Sequence, residues 1–161
     1  TLAIAVIIAL CVNRFVLVNA EIPSGSMENT IMTGDRVFGN RLAYIFGEPK
    51  RFDIIIFRYP DDEKQLFIKR IIGLPGETVE IHDGQIFIDG SKTPLKDVTT
   101  KEFMQGSFGP YTVPDNCYFV MGDNRNNSKD SRYWEHTFVT DDEIVGKAFL
   151  RYWPLNKIKF L

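Results

Sequence analysis

The chain has 161 residues, 44% of them hydrophobic and 13% aromatic, which is enough for one modest packed domain and too little for a repeat array. A formal net charge of -2 and a pI near 5.7 provide no basic stripe for a phosphate backbone, so no nucleic acid partner is expected. The two cysteines stand in unlike settings, Cys11 in an apolar run and Cys117 at a strand start ahead of Tyr118 to Met121, and this reads as two free thiols with Cys117 buried and unreactive.

Residues 1–12 are almost wholly apolar, and after Asn13-Arg14 a second apolar patch runs from Phe15 to Val18. A helix is the natural form. Twelve residues at about 1.5 Å each cover roughly 18 Å, short of a hydrocarbon core about 30 Å thick, so a membrane span ending near Ala20 is expected to extend N-terminally beyond Thr1. Arg14 then lies near the outer end, where its long side chain can reach the headgroups. The rival is a secretory signal peptide with Val18-Asn19-Ala20 as its cleavage site, against which Asn13-Arg14 interrupts the run. With the span at 1–20, residues 21–161 form the remaining domain. Only six residues then separate Ala20 from Ser26, a leash of about 20 Å in extended chain, so any substrate of Ser26 is presented at the bilayer surface.

Pro23-Ser24-Gly25-Ser26-Met27 follows, and beside a glycine a serine can offer both its hydroxyl and its backbone N–H to a substrate. The plain alternative is an inert loop. Beyond it, Thr33-Gly34-Asp35 is turn chemistry, Arg36-Val37-Phe38 is extended, and the continuous run Asp53 to Arg58 is a strand buried on both faces. The next strand, Leu66 to Leu74, alternates so that Lys69 shares a face with Phe67 and Ile71 while Arg70 shares the other with Ile68 and Ile72. For both cations the plain reading is a stem on apolar surface and a head in solvent. Val79 to His82 and Gln85 to Ile88 flank Asp83-Gly84 as a hairpin, whereas Ser91 to Pro110 shows no period, so residues 78–110 read as a small hairpin insert. Cys117 to Met121 and Ile144 to Trp153 supply the closing strands, on either side of an Asn/Asp-rich loop from Asp123 to Asp130. That loop lacks the glycine and terminal glutamate of a calcium loop.

Ser26 needs a base, and the usual partner is histidine. His82 sits on the hairpin and His136 follows Trp134-Glu135, neither with an evident orienting carboxylate. Lysine serves only when neutral, and an ordinary lysine near pKa 10.4 is neutral in about one molecule in 2,500 at pH 7. Burial lowers a lysine by up to about 3–5 units, the size required, and the apolar flanks of Lys69 make it the alternative base.

Three stretches in this order, Pro23 to Met27, Phe67 to Gly76 and Gly122 to Trp134, closely resemble the motifs of the bacterial type I signal peptidases, over about Phe15 to Leu161. The resemblance implies a mainly β fold, an antiparallel sheet or partly open barrel, behind an N-terminal transmembrane helix, and a Ser/Lys serine protease without metal or cofactor. It implies Ser26 as nucleophile, Lys69 as general base, and the Ser26 N–H with the Ser24 hydroxyl as oxyanion hole. Ser128 would orient the lysine, Asp130 and Arg132 would support its loop, and Ile22, Pro23, Ile31, Phe67 and Ile68 would line pockets for Ala-x-Ala. The implied partners are preprotein signal peptides, the lipid bilayer and the secretion translocon. The place is the cytoplasmic membrane, single-pass, with the catalytic domain on its extracytoplasmic side. Asn29, Glu77 and Glu135 stand where the family's motifs usually carry Pro, Asp and Gly. Two other readings are a self-cleaving repressor-type protease, which would need a DNA-binding domain, and an inactive β module that binds emerging preproteins.

Overall fold

In the computed structural model, which describes residues 2–97 and 102–161, Leu2–Cys11 forms helix α1 and Val12–Val16 continues it as a wider π-type turn. Thr1 of the expected span and residues 98–101 of the 78–110 segment lie outside the described residues. The helical run ends four residues earlier than expected. At Leu17 the backbone turns extended, and Leu17–Glu21 is strand β1, paired with β2 (Arg36–Asn40) from Leu17 opposite Asn40 to Glu21 opposite Arg36. Val18 is buried in the core while Asn19 is exposed, so alternation and pairing override the apolar continuity that suggested helix. Ten residues rather than six then separate the helix end from Ser26, and the leash grows to at most about 36 Å. No described helix is long and apolar enough to cross a membrane.

The remaining strands are β3 (Ile54–Tyr59), β4 (Asp62–Gly73), β5 (Thr78–His82), β6 (Gln85–Ile88), β7 (Phe108–Thr112), β8 (Cys117–Met121), β9 (Val139–Thr140), β10 (Ile144–Trp153) and β11 (Lys159–Phe160). They build an antiparallel sheet in the order β1-β2-β10-β3-β4-β8-β9, with β11 on β10, and a smaller sheet β6-β5-β7. The end strands β1 and β9 do not pair among the described residues, so the large sheet forms no closed barrel. Strand β7 falls where the sequence shows no period: Gly109 and Pro110 break any alternation, and pairing with β5 makes the strand.

β4 is the organising strand. Its Ile68 packs with Val18, Ile22, Met27, Ile31 and Ile56. Phe67 and Ile71 pack with Ile55, Phe57 and Trp134, and Ile72 joins a third cluster with Phe119 and, from the smaller sheet, Val79 and Ile81. A fully buried side chain of this size contributes roughly 1.5–3 kcal/mol, so β4 is held from three directions. Lys69 and Arg70 lie between these clusters at 4% and 9% exposure. The solvent-reaching reading of the two cations is thereby overturned: stems of this length on a central strand end inside the protein.

Candidate active site

Ser26 sits in a short 3-10 turn, Gly25–Met27, entered through extended backbone at Ser24 and anchored below by the fully buried Met27. Lys69 Nζ donates to Ser26 Oγ over 2.7 Å, in a buried contact between residues 43 apart in sequence. The Ser24 hydroxyl lies 3.3 Å from the Ser26 hydroxyl. Burial lowers the Lys69 amine from its ordinary 10.5 to about 8, although the charges of Asp130 and Asp123 push it back upward. The Phe67 ring centroid is 5.4 Å from Nζ. Chemically this is a hydroxyl in hydrogen-bond contact with an amine whose neutral form becomes accessible near neutral pH.

The loop from Gly122 to Arg132 braces this pair. Asp130 accepts from the Gly122 N–H at 3.0 Å and from Arg132 Nε and Nη2 at 2.8 and 2.9 Å, while Arg132 Nη2 also donates to the Arg125 carbonyl. Gly122 permits a close approach. A Cβ there would stand 2.2 Å from Ser128 Oγ and 2.4 Å from the Ser26 carbonyl oxygen, so any side chain would part the loop from the Ser26 turn. Ser128 is buried beside that contact, but among the described residues its hydroxyl makes no hydrogen bond, so the expected bond to Lys69 is not formed; the amine turns to Ser26 instead.

Two features escaped the sequence reading. Arg70 Nε and Nη2 pair with Asp123 at 2.8 and 2.7 Å, and Asp123 also accepts from the Thr30 hydroxyl. Alternation had placed Arg70 opposite Lys69, and a buried guanidinium demands a carboxylate, which was the available signal. Asn124 is the second: its backbone N–H donates to the Ser26 carbonyl at 3.1 Å, and its Nδ2 to the Gly25 carbonyl at 3.0 Å.

A cavity of about 570 Å³ opens over the Ser26/Lys69 pair. Its walls are the end of β1 (Asn19 to Glu21), the segment Ile22 to Ser26, and residues Gln65 to Lys69 of β4, with Asn127 and Lys129 at the rim. Of the residues expected to line a substrate pocket, Ile22, Pro23, Phe67 and Ile68 line this cavity. Ile31 does not: it is fully buried in the cluster beneath, packed with Met27 and Ile56, so its contribution is to the floor's rigidity. A second cavity of about 710 Å³ lies elsewhere, lined by Arg41, Tyr44, Glu48, Tyr118 and Asp141 among others, and contains neither serine nor lysine of the pair.

The histidines stand apart from Ser26, whose hydroxyl meets Lys69 and Ser24. His82 is an exposed partner of Glu80. His136 does have an orienting carboxylate, Asp61 at 2.9 Å from the β3–β4 turn, on the exposed surface. Cys117 is half-buried, and burial raises its thiol, away from thiolate chemistry. Among the described residues no three His, Cys, Asp or Glu side chains converge to hold a metal ion.

The family model described as signal peptidase, peptidase S26, matches residues 1–153. "Probable signal peptidase I-2" of Synechocystis sp. is 38% identical over all of this chain and 74% of its own length. "Signal peptidase I" of Leptolyngbya laminosa is 39% identical over 98% of this chain and 79% of its own, and "Signal peptidase I T" of Bacillus subtilis 37% over 98% and 85%. The crystal structure of a signal peptidase I from Enterococcus faecalis superposes with a TM-score of 0.53 at 37% identity, covering 62% of this chain and 96% of that one.

Proposed function

Because the chain belongs to the signal peptidase family, peptidase S26, we propose that it is a serine endopeptidase that removes signal peptides from preproteins with a Ser26/Lys69 dyad. The observation that carries this reading is the 2.7 Å contact between Lys69 Nζ and Ser26 Oγ at the base of an apolar-walled cavity. With Lys69 neutral, its lone pair accepts the Ser26 hydroxyl proton as Oγ attacks the scissile carbonyl carbon. The resulting oxyanion is held by the Ser26 N–H and the Ser24 hydroxyl. The Lys69 ammonium then protonates the leaving amine, and Lys69 deprotonates the water that hydrolyses the acyl-enzyme.

The cavity's walls favour an extended peptide with small side chains. Among the described residues β1 pairs only with β2, and β4 meets β8 only from Arg70 onward. Two backbone edges, at Asn19 to Glu21 and at Gln65 to Lys69, therefore flank the cavity with ladder groups to offer a substrate strand. Ile22, Pro23, Leu66, Phe67 and Ile68 leave apolar recesses suited to Ala at alternate positions of an Ala-x-Ala site. The apolar, exposed α1 supports a place at the cytoplasmic membrane, where preproteins emerge.

The test is cleavage of a preprotein bearing Ala-x-Ala in detergent or lipid, read by product mass. Wild type should cut after the second Ala, while Ser26→Ala and Lys69→Met, folded as judged by circular dichroism, should lose about 10²- to 10⁴-fold in rate. Equal cutting by Lys69→Met would remove lysine as the base. Binding of the preprotein without cutting by wild type would instead make the chain a binding module.

A further inference from the structure

Catalysis through an oxyanion hole depends on the direction of a single peptide N–H, and in this fold that direction is set from the far side of the same peptide plane. The Gly25–Ser26 peptide is trans, so its carbonyl and the Ser26 N–H point opposite ways from one rigid plate. The Gly25 carbonyl is held by two donors: the Glu28 N–H at 3.1 Å, which closes the 3-10 turn, and Asn124 Nδ2 at 3.0 Å, which arrives from the loop after β8. Asn124 also uses its own backbone N–H to hold the next carbonyl, that of Ser26, at 3.1 Å. Successive carbonyls of the nucleophile turn thus end on one residue 98 positions away from Ser26, and the Ser26 N–H is a first-turn donor that the 3-10 segment does not use itself.

We propose that Asn124 is a positioning residue of the active site, locking the Gly25–Ser26 peptide so that the Ser26 N–H faces the developing oxyanion. The inference rests on Ser26 being the nucleophile and its N–H an oxyanion donor. Neighbouring loop residues have other tasks: Asp123 pairs with Arg70, Arg125 donates to the Gly122 carbonyl, and Asn126 bonds Phe103 and Gln105. Without the Asn124 amide, the plate is held by the Glu28 N–H alone, at the end of a three-residue turn. A peptide that rocks about this bond weakens an interaction that matters most in the transition state, and leaves ground-state binding along β1 and β4 untouched.

The test compares Asn124→Ala, Asn124→Asp and Asn126→Ala with wild type, Ser26→Ala and Lys69→Met in the preprotein assay, with full pH profiles and thermal melts. Asn124→Asp keeps the shape but offers no donor to the Gly25 carbonyl. The expected result is a fall in kcat of about 10- to 100-fold for both Asn124 variants, below the loss of a whole oxyanion donor. KM should stay within twofold and the melting temperature close to wild type in both, with the acid limb of the profile unmoved in Asn124→Ala and Asn126→Ala at full rate. Wild-type kcat in both Asn124 variants, a change carried by KM, a displaced pH limb in Asn124→Ala, or a collapse of the melting temperature in both would each overturn the proposal. If Lys69→Met or Ser26→Ala retains activity, it is the dyad reading that has failed, and the Asn124 proposal falls with it.

Discussion

Lys69 and Arg70 are consecutive residues of β4, both buried, and the structure treats the two cations in opposite ways. Arg70 receives a bidentate carboxylate from Asp123 and adds the Phe52 carbonyl at 2.7 Å, so its charge is matched where it lies. Lys69, facing the other side of the strand, meets among the described residues only the hydroxyl of Ser26 and an aromatic face. Asp123 and Asp130 act on it through space, raising its affinity for a proton, yet burial outweighs them and the amine falls to about 8. A carboxylate delivered to one side of a strand and withheld from the other makes one cation a structural tie and leaves its neighbour's amine able to lose its proton near pH 8.

The largest expected effects remove each partner in turn. Asp123→Ala leaves the Arg70 guanidinium buried without its counter-charge and should destabilise the fold by about 3–5 kcal/mol in urea unfolding. Lys69→Met should do the reverse. Its amine is at about 8 folded against 10.5 unfolded, so the fold carries a penalty that is full below pH 8, fades as pH rises from 8 to 10.5, and is absent above. Methionine should therefore stabilise on the order of 3 kcal/mol at pH 6.5, with the gain vanishing above pH 10.5. A loss of stability in both variants at pH 6.5 would break the contrast between the two sites.

A smaller effect sharpens it. The rate of preprotein cleavage at low substrate should rise with pH along a limb near 8, as the free enzyme's amine loses its proton. Asp130 is the larger of the two charges that raise Lys69, so Asp130→Asn should move the limb to lower pH, even as the loop loses its Arg132 pairing and overall rate falls. A limb that stays would mean that burial alone sets the amine.

Much of this arrangement was legible in the chain because it depends on local pattern. The run Ile54 to Phe57, the alternation around Lys69 and the Asp83-Gly84 hairpin each announce their strand, while the pairing of Ser26 with Lys69 follows from the family resemblance and not from spacing. What depended on partners was not legible. Leu17 to Glu21 is apolar enough for helix and became strand because β2 was there to pair with it. Phe108 to Thr112 has no period of its own and is a strand through β5. Asn124 resembles any Asn of a polar loop until the Gly25 carbonyl is seen at the end of its amide. Glu77, a departure from the usual motif, is explained by contacts no local pattern shows: it pairs with Arg51 and accepts the Leu74 N–H at 2.8 Å, closing the turn after β4.

The smallest effect concerns another departure, Asn29 in the Ser26 segment, which stands where these motifs usually carry proline. Here its backbone has φ of +87°, a left-handed conformation that asparagine tolerates and that a proline ring, fixed near −65°, cannot enter. The turn beyond Ser26 is thus built differently from a proline-bearing one: the Thr30 and Ile31 N–H groups both fold back onto the Met27 carbonyl, at 3.1 and 2.9 Å, and bring Thr30 to Asp123. Asn29→Ala should cost about 1 kcal/mol in unfolding free energy, the usual penalty of left-handed backbone for a residue with a Cβ and no local hydrogen bond. Asn29→Gly, at home in that region, should stay within about 0.5 kcal/mol and keep the wild-type cleavage rate. Equal losses in the two would mean that the Asn29 side chain, and not its backbone, holds the turn on the Asp123 side of the molecule, and the contrast between the tied arginine and the untied lysine would then have to include it.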